Sequence, residues 1–156
     1  MARTFEQEVD YPQTADRVWA ALTQPELMGL WLMNFDNTQG EMTADFRAEP
    51  GTKYRLEARK GRGWRGYVVG TVLEVTPNER LVYTWAGSDD QDEDPVRIEC
   101  TLETTAAGTR LRVAQSGFRD GPKGWFVMKG AQMGWKKMLG SSIRPVLEGK
   151  VPKKTA

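Results

Sequence analysis

The sequence predicts one α+β domain: an antiparallel sheet of about seven strands, two short helices after the first strand, and a long helix at the C-terminus. Three observations predict it. Residues 42–117 carry apolar groups at a period near 2, the spacing of strands with one buried face. Residues after Pro122 and Gly124 carry them at a period near 3.6 as far as Gly149, the spacing of a helix. Between them GTVLEVTPNERLVYTW, residues 70–85, holds two β-branched and aromatic runs, Thr71–Val75 and Leu81–Trp85, split by a Pro77-Asn78 turn signal. Strands grouped together and followed by a helix are the pattern of an α+β chain.

Each element has a local reason. Phe5, Val9 and Tyr11 alternate with charges and give a first strand over 3–11, stopped by Pro12. Thr14 offers a hydroxyl cap to the next segment, with Asp16 in its first turn at the positive helix end. Ala15, Val18, Trp19 and Leu22 follow the i, i+3, i+4, i+7 spacing of an amphipathic helix. Pro25 starts a second short helix, where its missing N–H costs nothing, and Leu27, Leu30 and Trp31 form the apolar side. Strands are then expected near 42–47, 52–60, 65–76, 80–87, 95–104 and 108–116, with Ala107-Gly108 as a tight turn into the last. On the long helix Met128, Ala131, Trp135, Met138, Leu139, Ser142, Ile143 and Val146 share one face. Pro145 lies inside that helix and is expected to bend it near Ser141. Phe126 and Met133 fall on the opposite side, with Lys137 and Arg144. The domain is expected to span 1–150, with 151–156 as a flexible tail.

Composition narrows the chemistry. A chain of 156 residues buries roughly 70% of its unfolded surface in one core. No apolar run of about 18 residues is present to span a bilayer. The start, MARTFEQEVD, has charges where a signal peptide has its apolar region, and the single cysteine, Cys100, forms no internal disulfide; both predict a cytoplasmic protein. The chain has no histidine. That excludes Ser-His and Cys-His nucleophile pairs, zinc sites of imidazole and thiolate, and the iron triad of two histidines and a carboxylate. Any acid–base chemistry rests on Asp, Glu, Lys or Tyr. Net charge is +1, but residues 119–156 carry nine Lys/Arg against Asp120 and Glu148, leaving residues 1–118 acidic. A basic helix and tail of this kind reads first as a solvated face, and no nucleic-acid partner is expected.

Two stretches look chemical. Gly61-x-Gly63-x-x-Gly66 has the letters of a dinucleotide fingerprint but leads into the strand-like Tyr67–Val75 and not into a helix, so it reads as a hairpin turn. Arg59, Lys60, Arg62 and Arg65 around Trp64 have the residue types that contact phosphates and stack a base, yet a solvated loop tip is the simpler reading. Asp90-x-Asp92-x-Asp94 starts like a calcium loop, but Pro95 replaces the required glycine and Thr101 the bidentate glutamate. It reads as an acidic hairpin tip.

Five segments in order, TADRVWAALTQPELMGLW (14–31), PGTKYR (50–55), GTVLEVTPNERLVYTW (70–85), TRLRVAQSGF (109–118) and GWKKMLGSSI (134–143), resemble one family. It is that of single-domain proteins similar to the C-terminal domain of the heat-shock chaperone ATPase activator, within the START-like (SRPBCC) superfamily. The resemblance implies a helix-grip fold of the birch-pollen-allergen type, a curved sheet wrapped around the long C-terminal helix. Against that pattern, Pro145 and the glycines Gly130, Gly134 and Gly140 weaken the helix and put its straightness in question. Relatives of this superfamily include lipid and hormone carriers, cyclases, oxygenase domains and co-chaperones; the missing histidines remove the oxygenase option.

A curved sheet with this many aromatic residues suits a cavity for a small neutral apolar or aromatic molecule. The candidates to line it are Trp31, Tyr54, Leu56, Thr71, Tyr83, Trp85, Ile98, Cys100, Met128, Gln132, Trp135, Leu139 and Ser142. Its polar groups are expected to be tyrosine hydroxyls with Thr71, Gln132 and Ser142, and the strand arginines Arg55, Arg97, Arg110 and Arg112 fall on the other face. The alternatives are a co-chaperone or protein-partner module using the basic helix, and a cyclase or hydrolase using Tyr or carboxylate groups in the cavity. A homodimer through Phe126 and Met133 is a further expectation. No catalytic residue, metal ligand or cofactor is assigned from the sequence.

Overall fold

Alternation at period 2 does build one sheet. The computed structural model of the chain describes residues 3–32, 42–58 and 65–150. Its strands are β1 (Arg3–Tyr11), β2 (Thr43–Asp45), β3 (Lys53–Glu57), β4 (Tyr67–Thr76), β5 (Arg80–Trp85), β6 (Val96–Thr105) and β7 (Gly108–Phe118). They pair antiparallel in the order β1-β7-β6-β5-β4-β3-β2, a curved sheet with the first strand beside the last. Each expected strand is present, within a few residues at its ends. The inner face carries Phe5, Tyr11, Tyr54, Leu56, Val68, Val72, Leu81, Tyr83, Ile98, Cys100, Leu111 and Val113, all buried. Of the outer-face arginines, Arg112 reaches Glu8 across to β1, Arg110 reaches Asp10, and Arg55 meets Glu57 on its own strand. These are exposed pairs of small energetic weight. Arg97 is exposed as well, so the expected parity of all four arginines stands.

The helices follow their sequence signals with one correction. α1 (Ala15–Thr23) and α2 (Pro25–Trp31) meet at Gln24, with Pro25 opening α2. The Thr14 side chain does not cap α1; its backbone carbonyl accepts the N–H groups of Arg17 and Val18 instead. What ties this end down is Asp16, which accepts a 2.6 Å bond from Asn78 Nδ2. Asn78 sits in the β4–β5 turn at φ 64°, a left-handed conformation that asparagine tolerates better than most residues.

The C-terminal helix is interrupted where Pro145 demands it. α3 (Gly121–Lys137) passes into a π-helical turn, Met138–Ser142, before a short α4 (Arg144–Leu147). Proline has no N–H to give and its ring crowds the carbonyl of Ser141, so the ladder slips by one residue. Ile143 N–H bonds Met138 O, five residues back, in place of Leu139 O. The carbonyl of Leu139 is taken by the buried Tyr11 hydroxyl at 2.5 Å, which fastens the slipped turn to β1. Arg144 lies over the Tyr11 ring, 5.1 Å from its centroid, so it faces inward across β1 and not out beside Phe126. Met128, Trp135, Met138, Leu139, Ile143 and Val146 form the expected buried stripe. The tail 151–156, the loop 59–64 with Gly61, Gly63 and Trp64, and residues 33–41 lie outside the described residues. Among the described residues no helix is long and apolar enough to cross a membrane.

Candidate functional site

Between α3 and the inner face of the sheet lies a cleft of about 360 Å³. The end of β5 and the following connection give it Trp85, Gly87, Ser88 and Gln91, β6 gives Val96, and β7 gives Gln115 and Phe118. From α3 come Val127, Gly130, Ala131, Gly134 and Trp135, with Met138 from the first residue of the π-turn. The helical positions are spaced by three and four residues, one stripe of α3. Three of them are glycine or alanine, and the side-chain volume they lack leaves the room. A second hollow of about 250 Å³ shares Ser88, Gln91, Val96, Phe118 and Val127 and continues outward to Asp94, Arg119, Asp120 and Lys123. The two form one groove with an apolar inner part and a charged mouth.

Aromatic rings build the inner wall. Trp135 is 3% exposed and meets Trp31 edge-on at 6.3 Å on one side and Trp85 at 6.0 Å on the other. Trp31 is locked in the core by its indole N–H, which donates to Ala21 O at 2.9 Å. The indole series thus runs from the core to the cleft, with Trp135 as the shared member. Such edge-to-face contacts favour fixed ring positions.

Of the residues expected to line a cavity, Trp85 and Trp135 line this cleft. Trp31, Tyr54, Leu56, Tyr83, Ile98, Cys100, Met128 and Leu139 are packed in the core. The Tyr54 hydroxyl donates to Thr84 O, and Gly70 makes that reach possible. A Cβ on Gly70 would stand 2.0 Å from Thr84 O and 2.6 Å from the Tyr54 ring. Tyr83 and Cys100 are buried, and burial raises the pKa of both tyrosines and pushes the Cys100 thiol up to about 12. Both tyrosines are therefore packed inside the core and do not line the cleft. Thr71 pairs with Lys53 and shares its side of the sheet, opposite to Tyr54 and Gly70. Gln132 is half-buried on the β1 side, where its carbonyl accepts Gln7 Nε2 at 2.7 Å, and Ser142 is half-buried in the π-turn.

Apart from Trp85 and Trp135, none of the residues lining the cleft was among the sequence candidates, and the most informative of those missed is Gln115. Gln115 is 2% exposed, pairs with Phe5 on one side and Ile98 on the other, and has a buried amide nitrogen with no hydrogen-bond partner among the described residues. Its signal was present: in Leu111-Arg-Val113-Ala-Gln115 the glutamine falls on the inward parity. Thr109, the other buried polar residue of β7, satisfies its hydroxyl on Gln13 O at 2.8 Å.

The wall from 86 to 92 is held by Arg65. Its side chain is 13% exposed and donates to Ala86 O at 2.8 Å, to Asp89 Oδ1 at 2.8 Å and to both oxygens of Asp92 at 2.9 Å, with the guanidinium 4.0 Å above the Tyr67 ring. Hydrogen bonds from Arg65 hold the Asp92 carboxyl below its ordinary value. Arg65 is thus an internal anchor and not part of a solvated basic tip; Arg59, Lys60 and Arg62 lie outside the described residues. The acidic hairpin is correspondingly more than a solvated tip, since Asp94 also meets Arg119 at 3.5 Å. Among the described residues no three Cys, Asp or Glu side chains come together as a metal-binding group. On the outside of α3, Phe126 is 68% and Met133 73% exposed, with Trp125 edge-on to Phe126 at 5.1 Å.

Comparison with known proteins places this architecture. No functionally curated protein matches the chain. The crystal structure of protein MLL2253 from Mesorhizobium loti is 32% identical, with a TM-score of 0.75 over 94% of this chain and 98% of that one. A protein of unknown function from Staphylococcus aureus, SA2116, is 19% identical, with a TM-score of 0.77 over 96% of this chain and 95% of that one. The AHSA1-like protein from Aeromonas hydrophila is 16% identical, with a TM-score of 0.70 over 94% and 93%. The last two likenesses show the fold alone. The family described as Activator of Hsp90 ATPase homolog 1-like protein matches residues 12–148, and the chain belongs to that family.

Proposed function

We propose that this protein binds a small, neutral, apolar or aromatic molecule in the cleft between α3 and the sheet. The observation that carries the reading is the character of the 360 Å³ hollow: Trp85, Trp135, Phe118, Val127 and Met138 surround it, and no ionisable side chain lines its inner part. Clefts of this size with apolar walls and few polar groups are where small ligands bind. A carboxylate held there would lose its hydration with no cation among the lining residues to replace it. Membership of a family whose fold hosts ligand-binding proteins supports the same reading.

The test is a titration with neutral polycyclic aromatics and with fatty acids at two ionic strengths, read by tryptophan fluorescence. Saturable binding of the neutral compounds, unchanged by salt, is expected, because two indoles form the wall. Binding of the fatty acids alone, weakened by salt, would move the site to the basic C-terminal segment and overturn the proposal.

A second reading, a protein-partner module in keeping with the family's name, draws support from the outer face of α3, where Phe126 and Met133 stand exposed. The two readings separate in a thermal melt. A cleft ligand raises Tm by mass action, whereas a protein-docking surface leaves Tm unmoved by small molecules.

A further inference from the structure

The cleft has one inward polar side chain whose hydrogen-bonding capacity is unmet, and its chemistry bears on what the cleft selects. Gln115 sits on β7 among Leu111, Val113, Phe5 and Ile98, all buried apolar groups. A glutamine amide in such a setting is costly unless its donors are used, and native proteins almost always use them. Here the nitrogen is buried and unpaired among the described residues, while the side chain forms part of the cleft lining.

We propose that Gln115 is a specificity-determining residue whose amide N–H donates to a carbonyl-type oxygen on the molecule held in the cleft, so that the site selects aromatic ketones over hydrocarbons of the same shape. This rests on the cleft reading above and deepens it. The unmet group is a donor, so the ligand atom opposite must accept. The donor is neutral, so it does not compensate a full negative charge, and the inner lining offers no cation that would. A carbonyl oxygen has the acceptor strength without the charge. Sites built to hydrogen-bond a ligand atom reject the analogue lacking it, because the protein's own group is then left unpaired.

The experiment uses the full chain and a shape-matched pair, 9-fluorenone and fluorene, titrated by tryptophan fluorescence and calorimetry. The native protein should bind the ketone about ten- to a hundredfold more tightly than the hydrocarbon. Gln115→Leu should bring the ratio close to one by weakening the ketone alone. Independently of any variant, the carbonyl stretch of fluorenone bound to the native protein should shift to lower wavenumber relative to the ketone in an apolar solvent. This second readout decides the matter even where Gln115→Leu fails to fold. Equal binding of both compounds with an unshifted carbonyl band would overturn the role of Gln115 and leave the cleft reading standing. Binding of neither compound would overturn both.

Discussion

Gly130 offers the sharpest separation of stability from binding. It lies in the middle of α3, is exposed, and a Cβ built on it meets no heavy atom within 4 Å. An added methyl therefore causes no clash, while removal of glycine from a helix interior gains about 0.8–1.0 kcal/mol relative to alanine. Gly130→Ala should raise stability by close to that amount. With a urea dependence of about 1–3 kcal/mol/M, the midpoint should rise by roughly 0.3–1 M, and Tm by about 2–4 °C for a chain of this size. Gly130 also lines the cleft. Gly130→Leu keeps a good helix former at the site and sends an isobutyl group into the hollow. We expect it to be at least as stable as the native protein, yet to bind neutral polycyclic aromatics at least tenfold more weakly, as read by tryptophan fluorescence. A Gly130→Leu protein that binds as tightly as native would place the ligand elsewhere. A Gly130→Ala protein less stable than native would show that the space beside residue 130 is not open.

Three further outcomes follow from the packing. Trp135→Ala removes the ring shared by the core and the cleft and should cost about 3–5 kcal/mol; an unchanged urea midpoint would contradict its placement between Trp31 and Trp85. Tyr11→Phe leaves the Leu139 carbonyl of the π-turn without its donor and should cost about 1–3 kcal/mol. In amide exchange the loss should appear as faster opening around residues 138–147, and protection unchanged there would show that Tyr11 does not hold the turn. Asp92 is held below its ordinary pKa of 3.8 by Arg65, so its contribution is complete above that value and disappears as pH falls through the lower folded-state value. Asp92→Asn should therefore be less stable than native at pH 7, with the gap closing in melts below about pH 4, and a gap independent of pH would rule out the ion pair as its source.

Much of this fold is dictated locally, and the sequence shows it. Strand parity in Val96–Leu102, the Pro77-Asn78 turn, the proline that opens α2 and the disruption caused by Pro145 each depend on groups within a few residues of one another. So does the outward direction of Arg55, Arg97, Arg110 and Arg112, because side chains alternate along a strand whatever its neighbours do. The resemblance to a helix-grip family supplied the curvature that local pattern does not contain. What only the tertiary structure decided is which inward residues are filled core and which border open space. Tyr54 and Trp85 both face inward, yet one bonds Thr84 O within the core and the other lines the cleft, since that depends on which side chains fill the space above each part of the sheet. The open space is left by Gly130, Ala131 and Gly134 on the helix; by sequence alone the two glycines read as helix-weakening residues and Ala131 as part of the apolar stripe. The same holds for Arg65, whose partners Asp89 and Asp92 lie more than twenty residues away, and for Gln115, whose parity is plain in the sequence but whose unmet donor appears only once the neighbouring strands surround it. Periodicity determines which way a side chain points; what it meets there is a property of the packed whole.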